Sequence, residues 1–188
     1  MRRIVILGLA LGAAFSVAAI TAVSVSATGH EFVANKTGKT KDKETNAQIF
    51  KTGAGTLECA SVVGTGEITA LKSVTHKETL TYSECEAFGY SDVKITPAHF
   101  EYSANGSARI EETIIISPEG SGCEILIEPQ TMEGMSYKNE PTGKITAKAN
   151  VFKITSKGTG HVCGAENKEG SYTGSVAATL EGGTIEWK

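Results

Sequence analysis

The stretch from Val74 to Tyr90 constrains the chain most, because it reads as a strand that runs into a cysteine. With a period of two, Thr75, Lys77, Thr79 and Thr81 fall on one face and Val74, Leu80 and Tyr82 on the other, the pattern of a strand with one wet face. Cys85 then ties that strand to a covalent framework if the chain is exported.

Export is what the N-terminus predicts. Met1-Arg2-Arg3 is a short basic region, Ile4 to Ile20 is apolar apart from Ser16, and Val25-Ser26-Ala27 supplies small residues for cleavage. The expectation is a signal peptide over residues 1–27 and a single secreted β domain over 28–188, located outside the cell or on its surface. An uncleaved membrane anchor is the alternative, since the apolar stretch approaches the ~20 residues a span requires. Loss of Arg2 and Arg3 leaves 16 basic against 21 acidic groups, a net charge of −5. That balance argues against nucleic acid as a partner.

All four cysteines, Cys59, Cys85, Cys123 and Cys163, lie in the exported part. Their spacing contains no Cys-x-x-Cys pair, so two disulfides are expected in place of a zinc or redox site. Three pairings are open to four cysteines. One internal echo favours a choice: Thr65-Gly66-Glu67-Ile68-Thr69-Ala70 resembles Thr142-Gly143-Lys144-Ile145-Thr146-Ala147, and Cys85 and Cys163 follow at similar distances. If the echo marks two halves, Cys59 pairs with Cys85 and Cys123 with Cys163.

With 21 Gly against 4 Pro and few aromatics, the composition suits short strands joined by glycine turns. Phe32-Val33-Ala34 reads as a strand, the run with Lys36, Lys39, Lys41 and Lys43 as an exposed loop, and Ala47 to Phe50 as a strand. Gly64-Thr65-Gly66 and Ser156 to Gly160 read as turns, and Asn105-Gly106 as a hairpin tip with both residues at positive φ. Cys123, Ile125 and Ile127 share one phase, as do Tyr172, Val176, Ala178 and Leu180. Roughly a dozen short strands at this spacing predict an all-β fold, an antiparallel β-sandwich or, alternatively, a closed β-barrel.

The succession of Cys59, Tyr82-Ser83-Glu84-Cys85-Glu86-Ala87-Phe88-Gly89, Asn105-Gly106, Gly122-Cys123, Glu128-Pro129-Gln130, Tyr137-Lys138-Asn139 and Gly170-Ser171-Tyr172-Thr173-Gly174 resembles an uncharacterised group of secreted, Thr/Gly-rich β proteins of soil actinobacteria. Members of that group often carry a further cysteine pair in the hairpin about Asn105-Gly106, which this sequence lacks. The shared positions are turns and cysteines, and the resemblance implies no activity.

Nothing in the sequence identifies a reaction. Hydrolase, metalloprotease, phosphate-loop and dinucleotide motifs are absent, so no catalytic residue, cofactor or metal is expected. His30 and His161 stand apart from other ligating residues, and His99 and Glu101 share a phase opposite Phe100 and Tyr102. His76 and Glu78 are the exception, because they fall on the inward phase of the Val74–Tyr90 strand. Buried charge persists only where it is paired or used, so the expectation is a bulge or sheet edge that returns both to water. Were they enclosed, they would become the first candidates for a ligand or catalytic site. Tyr82, Phe88 and Tyr90 lie together about Cys85; the expectation is packing around a disulfide, and as candidate ligand contacts they would form an aromatic patch for stacking on sugars. The function expected is a non-enzymatic extracellular module, structural, adhesive or binding a surface glycan or protein, with the membrane met only through an uncleaved signal segment. The alternatives are a carrier of a small apolar ligand and an enzyme of unrecognised type.

Overall fold

A computed structural model describes residues 29–160, 163–164 and 166–188, and the signal segment lies outside them. Among these residues there is no helix, and the strands run β1 (Phe32–Ala34), β2 (Gly38–Thr52), β3 (Gly55–Ile68), β4 (Lys72–Ser73) and β5 (Thr75–Ala87). They continue as β6 (Val93–Ile95), β7 (Ala98–Ser103), β8 (Ser107–Ile110), β9 (Ile114–Pro118) and β10 (Glu124–Ile127). The last are β11 (Thr131–Glu133), β12 (Met135–Glu140), β13 (Lys144–Thr159), β14 (Asn167–Leu180) and β15 (Ile185–Trp187). Every pairing is antiparallel.

The main sheet follows the order β11-β8-β7-β5-β3-β2-β14-β13-β10-β9-β6, with β12 paired to β13. Segment 131–140 therefore pairs β8 through β11 and β13 through β12, with Gly134, at φ 109°, as the joint. The sheet is curled into a half-barrel whose two flanks share that segment, nearer the barrel than the sandwich of the two forms expected. Both ends are covered. Ile95, Ile114, Ile116 and Ile127 of the β6-β9-β10 flank line the same void as Phe50, Leu57 and Phe100 of the barrel. At the opposite end the small sheet β15-β1-β4 brings Phe32 and Ile185 over the interior.

Alternation holds in β7 and about β10, while Val74, expected inward with Leu80 and Tyr82, is exposed. Phe100 and Tyr102 are buried in β7, and Cys123, Ile125 and Ile127 are buried in and before β10. The disulfides join Cys59 to Cys85 and Cys123 to Cys163, the pairing that the echo favours. The echoed segments themselves occupy different places, the end of β3 and the start of β13.

Three expectations are corrected. The lysine run is not a loop, because β2 continues through it with Lys39, Lys41 and Lys43 exposed and Thr40 and Asp42 buried between them. Gly64-Thr65-Gly66 does not turn, since β3 runs straight through to Ile68, and β13 likewise passes Gly158. The tip of the β7–β8 hairpin has three residues, Ala104 to Gly106, and Gly106 alone takes a positive φ, of 94°. Such a loop needs glycine only at its last position.

Candidate functional site

The site follows from the two glycines inside β3. In the register of β2, β3 and β5, Asp42 lies opposite Gly64 and Gly64 opposite Leu80, while Thr40 lies opposite Gly66 and Gly66 opposite Glu78. Neither glycine is at positive φ, so conformation does not require them. Space does: a Cβ on Gly64 would sit 2.8 Å from Asp42 Cβ and 2.7 Å from Leu80 Cδ2, and one on Gly66 2.7 Å from Thr40 Oγ1 and 2.9 Å from Glu78 Cγ. The missing side chains let Asp42 and Glu78 reach each other across β3.

His76 and Glu78 are enclosed, contrary to the expectation of exposure, at 7% and 5% exposed. The strand carries no bulge there, since the pairing of β5 with β7 runs without a break from Thr75 to Leu80. The irregularity falls one step earlier, at Val74, which lies outside β4 and β5 and is exposed. Alternation within β5 therefore turns His76 and Glu78 inward with Leu80.

His76 Nε2 lies 2.8 Å from Glu78 Oε1 and 3.3 Å from Thr40 Oγ1. Asp42, 4% exposed, has no hydrogen-bond partner for either oxygen. Glu78 is its carboxyl neighbour across β3, and two carboxyls brought together in a dry interior are relieved by a proton between them. Burial, and then the Glu78 charge, raise Asp42 to about 9. Burial raises Glu78 to about 7 against the opposing influence of the Asp42 carboxyl, and lowers His76 against the attraction of Asp42. Tyr102 and Tyr137 face the same carboxyls, and burial followed by the Glu78 charge pushes both phenols up. Among the described residues no lysine or arginine pairs with Asp42 or Glu78, whose ion-pair neighbour is His76.

The arrangement limits its own chemistry. Thr40 and Glu78 touch the same histidine nitrogen, so His76 cannot take a proton from Thr40 while being oriented by Glu78 through the other nitrogen, as a nucleophile relay demands. Among the described residues no group of three or more His, Cys, Asp or Glu is arranged to hold a metal ion. A void of about 20 Å³ borders His76 and Glu78 and is otherwise walled by Phe32, Tyr102, Tyr137 and aliphatic side chains.

The aromatic candidates are divided by the fold. Tyr82 points inward, its hydroxyl 3.3 Å from that of Tyr172, and burial pushes it up to about 12. The Tyr172 hydroxyl donates to Gln48 Oε1, and Gln48 Nε2 donates to the carbonyls of Asn46 and Ser175. Phe88 packs against the core in the turn after β5, beside Gly55, and Tyr90 closes that turn by a bridge to Ala87. The exposed large aromatic side chain on the outer wall is Phe152, which sequence reading did not single out. His99 and Glu101 are half-buried, with His99 Nδ1 3.1 Å from Thr79 Oγ1. His161 lies outside the described residues.

Asp42 and Thr40 are the members that sequence reading missed. The signal was present as Lys39-Thr40-Lys41-Asp42-Lys43, an alternation as regular as any in the chain, hidden by the habit of reading a lysine run as solvated loop. No protein-family model, no curated protein and no solved structure matches the chain.

Proposed function

We propose that the chain is a secreted, non-enzymatic module of a bacterial envelope that acts through its outer wall, on a polar surface glycan or protein. The observation that carries this reading is the contrast between interior and exterior. The interior voids at the Ile-rich end, beside Gln48 and Tyr102, and beneath Phe32 are about 50, 20 and 20 Å³, against the ~300–1,000 Å³ of ordinary ligand pockets. The outer wall of β2, β3, β5 and β7 carries a depression of about 730 Å³. Lys39, Lys41, Thr65, Lys77, Thr79 and His99 line it with Glu67, Glu111 and Glu181, and it reaches Thr40 and Glu78 beside Gly66. Such a surface offers hydroxyl, cationic and anionic partners to a hydrated polymer. The two disulfides fit an oxidising compartment and so support export.

The test is co-sedimentation of protein 28–188, disulfides intact, with insoluble cell-wall polymer. Binding is expected, and Thr65→Trp, which fills the depression, is expected to abolish it while leaving the melting temperature within a few degrees. Equal sedimentation of the variant would reject the outer wall as the contact. A second reading, a carrier of a small apolar ligand, is favoured by the three voids, which share lining residues from the Ile-rich end to Glu78. Native mass spectrometry separates the two, because a carrier leaves the cell with a stoichiometric lipid and the module as the bare chain.

A further inference from the structure

The small sheet covers the void that His76 and Glu78 border. Phe32 of β1 lines that void, with its ring 5.1 Å from that of Tyr137 and 6.4 Å from that of His76. β1 is held by three residue pairs to β15 and two to β4, whereas β2 and β3 share eleven. Backbone bonds from Glu31 N to Lys188 O, Lys188 N to Glu31 O, Ala34 N to Leu71 O and Asn35 N to Thr184 O, and the Lys72–Glu31 ion pair, add to its attachment. A strand with so few partners opens at a smaller cost than the long barrel strands β2, β3, β5, β13 and β14.

The groups that titrate beneath it are few. His76 and Glu78 border the void from β5, Tyr102 from β7 and Tyr137 from β12, Asp42 of β2 neighbours Glu78, and the walls from β13, β14 and β15 are aliphatic. The depression outside β2, β3 and β5 carries Lys39, Lys41 and Lys77, but these project to solvent. Deprotonation of both carboxyls would place two negative charges side by side in a dry interior, with His76 as their sole basic neighbour. Water is then their remaining source of relief, and the void under Phe32, which His76 and Glu78 border, is one place for it to enter.

We propose that Asp42, Glu78 and His76 form a proton-held latch beneath the small sheet: shared protons keep β1 seated over the barrel end, and their loss releases it. The raised carboxyl values, about 7 for Glu78 and about 9 for Asp42, set the direction, with closure on the acid side and opening on the alkaline side.

The experiment is amide hydrogen exchange on disulfide-intact protein 28–188 between pH 6 and 9.5, corrected for the intrinsic rise of exchange with pH. Protection at Phe32–Ala34 is expected to fall about ten-fold relative to Val176–Ala178 of the barrel wall, and to stay constant in Asp42→Asn, where one charge is removed for good. Glu78→Gln provides the same comparison should Asp42→Asn not fold, folding being judged by circular dichroism at pH 6. Constant relative protection in the unmodified protein overturns the proposal. So does an equal loss of protection in a folded variant, which would assign the opening to other groups.

Discussion

Asp42 and Glu78 stand on strands that do not pair with each other, and meet because the strand between them carries glycine at both intervening positions. The polar cluster is thus built by subtraction, since β3 contributes to it only an absence of side chains. The second interior polar group, Gln48, has the same device on another strand. A Cβ on Gly174 would lie 2.7 Å from Gln48 Cδ. There the similarity ends, because Gln48 is hydrogen-bonded at both ends and Asp42 is left to a proton.

Gly64→Ala should therefore destabilise by overpacking, by about 1–3 kcal/mol. Gly53→Ala is the control, since its new Cβ would meet Asn167 Cβ at 3.2 Å, with no positive φ to offend. Urea denaturation of the two variants should separate them by at least about 1 kcal/mol. Equal costs would mean that the wall at Gly64 yields freely.

Stability should fall as pH rises, the reverse of the behaviour of a protein held by exposed ion pairs. Asp42 and Glu78 have folded values near 9 and 7, above their unfolded values, so the folded state keeps protons that the unfolded state releases. Their contribution is full below about pH 4 and is lost as pH climbs through 7 and then 9. His76, lowered by burial, acts oppositely and withdraws stability as pH falls below about 6.5. Urea midpoints should decline from pH 5.5 to 9, with a slope of up to about 1.4 kcal/mol per pH unit for each proton held. Asp42→Asn should flatten the decline and make the variant the more stable protein at pH 9, because its amide can donate to the Glu78 carboxylate.

The strands were legible wherever one face is wet and the other dry. Phe100 and Tyr102, or Ile125 and Ile127, declare their phase because their neighbours are polar. Legibility stops where the interior is polar. Thr40, Asp42, His76 and Glu78 occupy inward positions, and no hydropathy argument marks a buried aspartate between two lysines as inward. Gly64 and Gly66 mislead for a related reason, since glycine as punctuation and glycine as vacancy are written alike. Of the small sheet, β1 was legible as a strand and its place as a plug was not, because Phe32 and Ile185 meet only through pairing of the first described strand with the last.

Reduction should act on the two ends of the barrel separately. Cys59–Cys85 ties β3 to β5 across one register pair, closing 26 residues, and Cys123–Cys163 ties the approach to β10 to the loop between β13 and β14, closing 40. Replacing either pair by alanine should cost ~2–4 kcal/mol in the chain-entropy account, with little difference between them because the dependence on loop length is logarithmic. A non-reducing peptide map should show these two linkages, and Cys59 joined to Cys123 would refute the pairing.

Phe32→Ala connects packing to proton binding. Phe32 is 5% exposed and closes the end of the barrel over His76, so truncation removes buried aromatic surface and admits water beside Glu78. The packing loss should be about 3–5 kcal/mol at pH 5.5. Hydration relieves the burial that raises Glu78 and Asp42, so their folded values should drop towards the ordinary carboxylate range. Fewer protons are then held by the folded state at neutral pH, and the decline of stability with pH must shrink by linkage. The variant is thus expected to be much weaker than the unmodified protein at pH 5.5 and closer to it at pH 9. Phe32→Leu, which keeps an apolar cover, should retain the steep decline. A constant gap between Phe32→Ala and the unmodified protein from pH 5.5 to 9 would show that Phe32 packs at the barrel end without keeping water from the carboxyls.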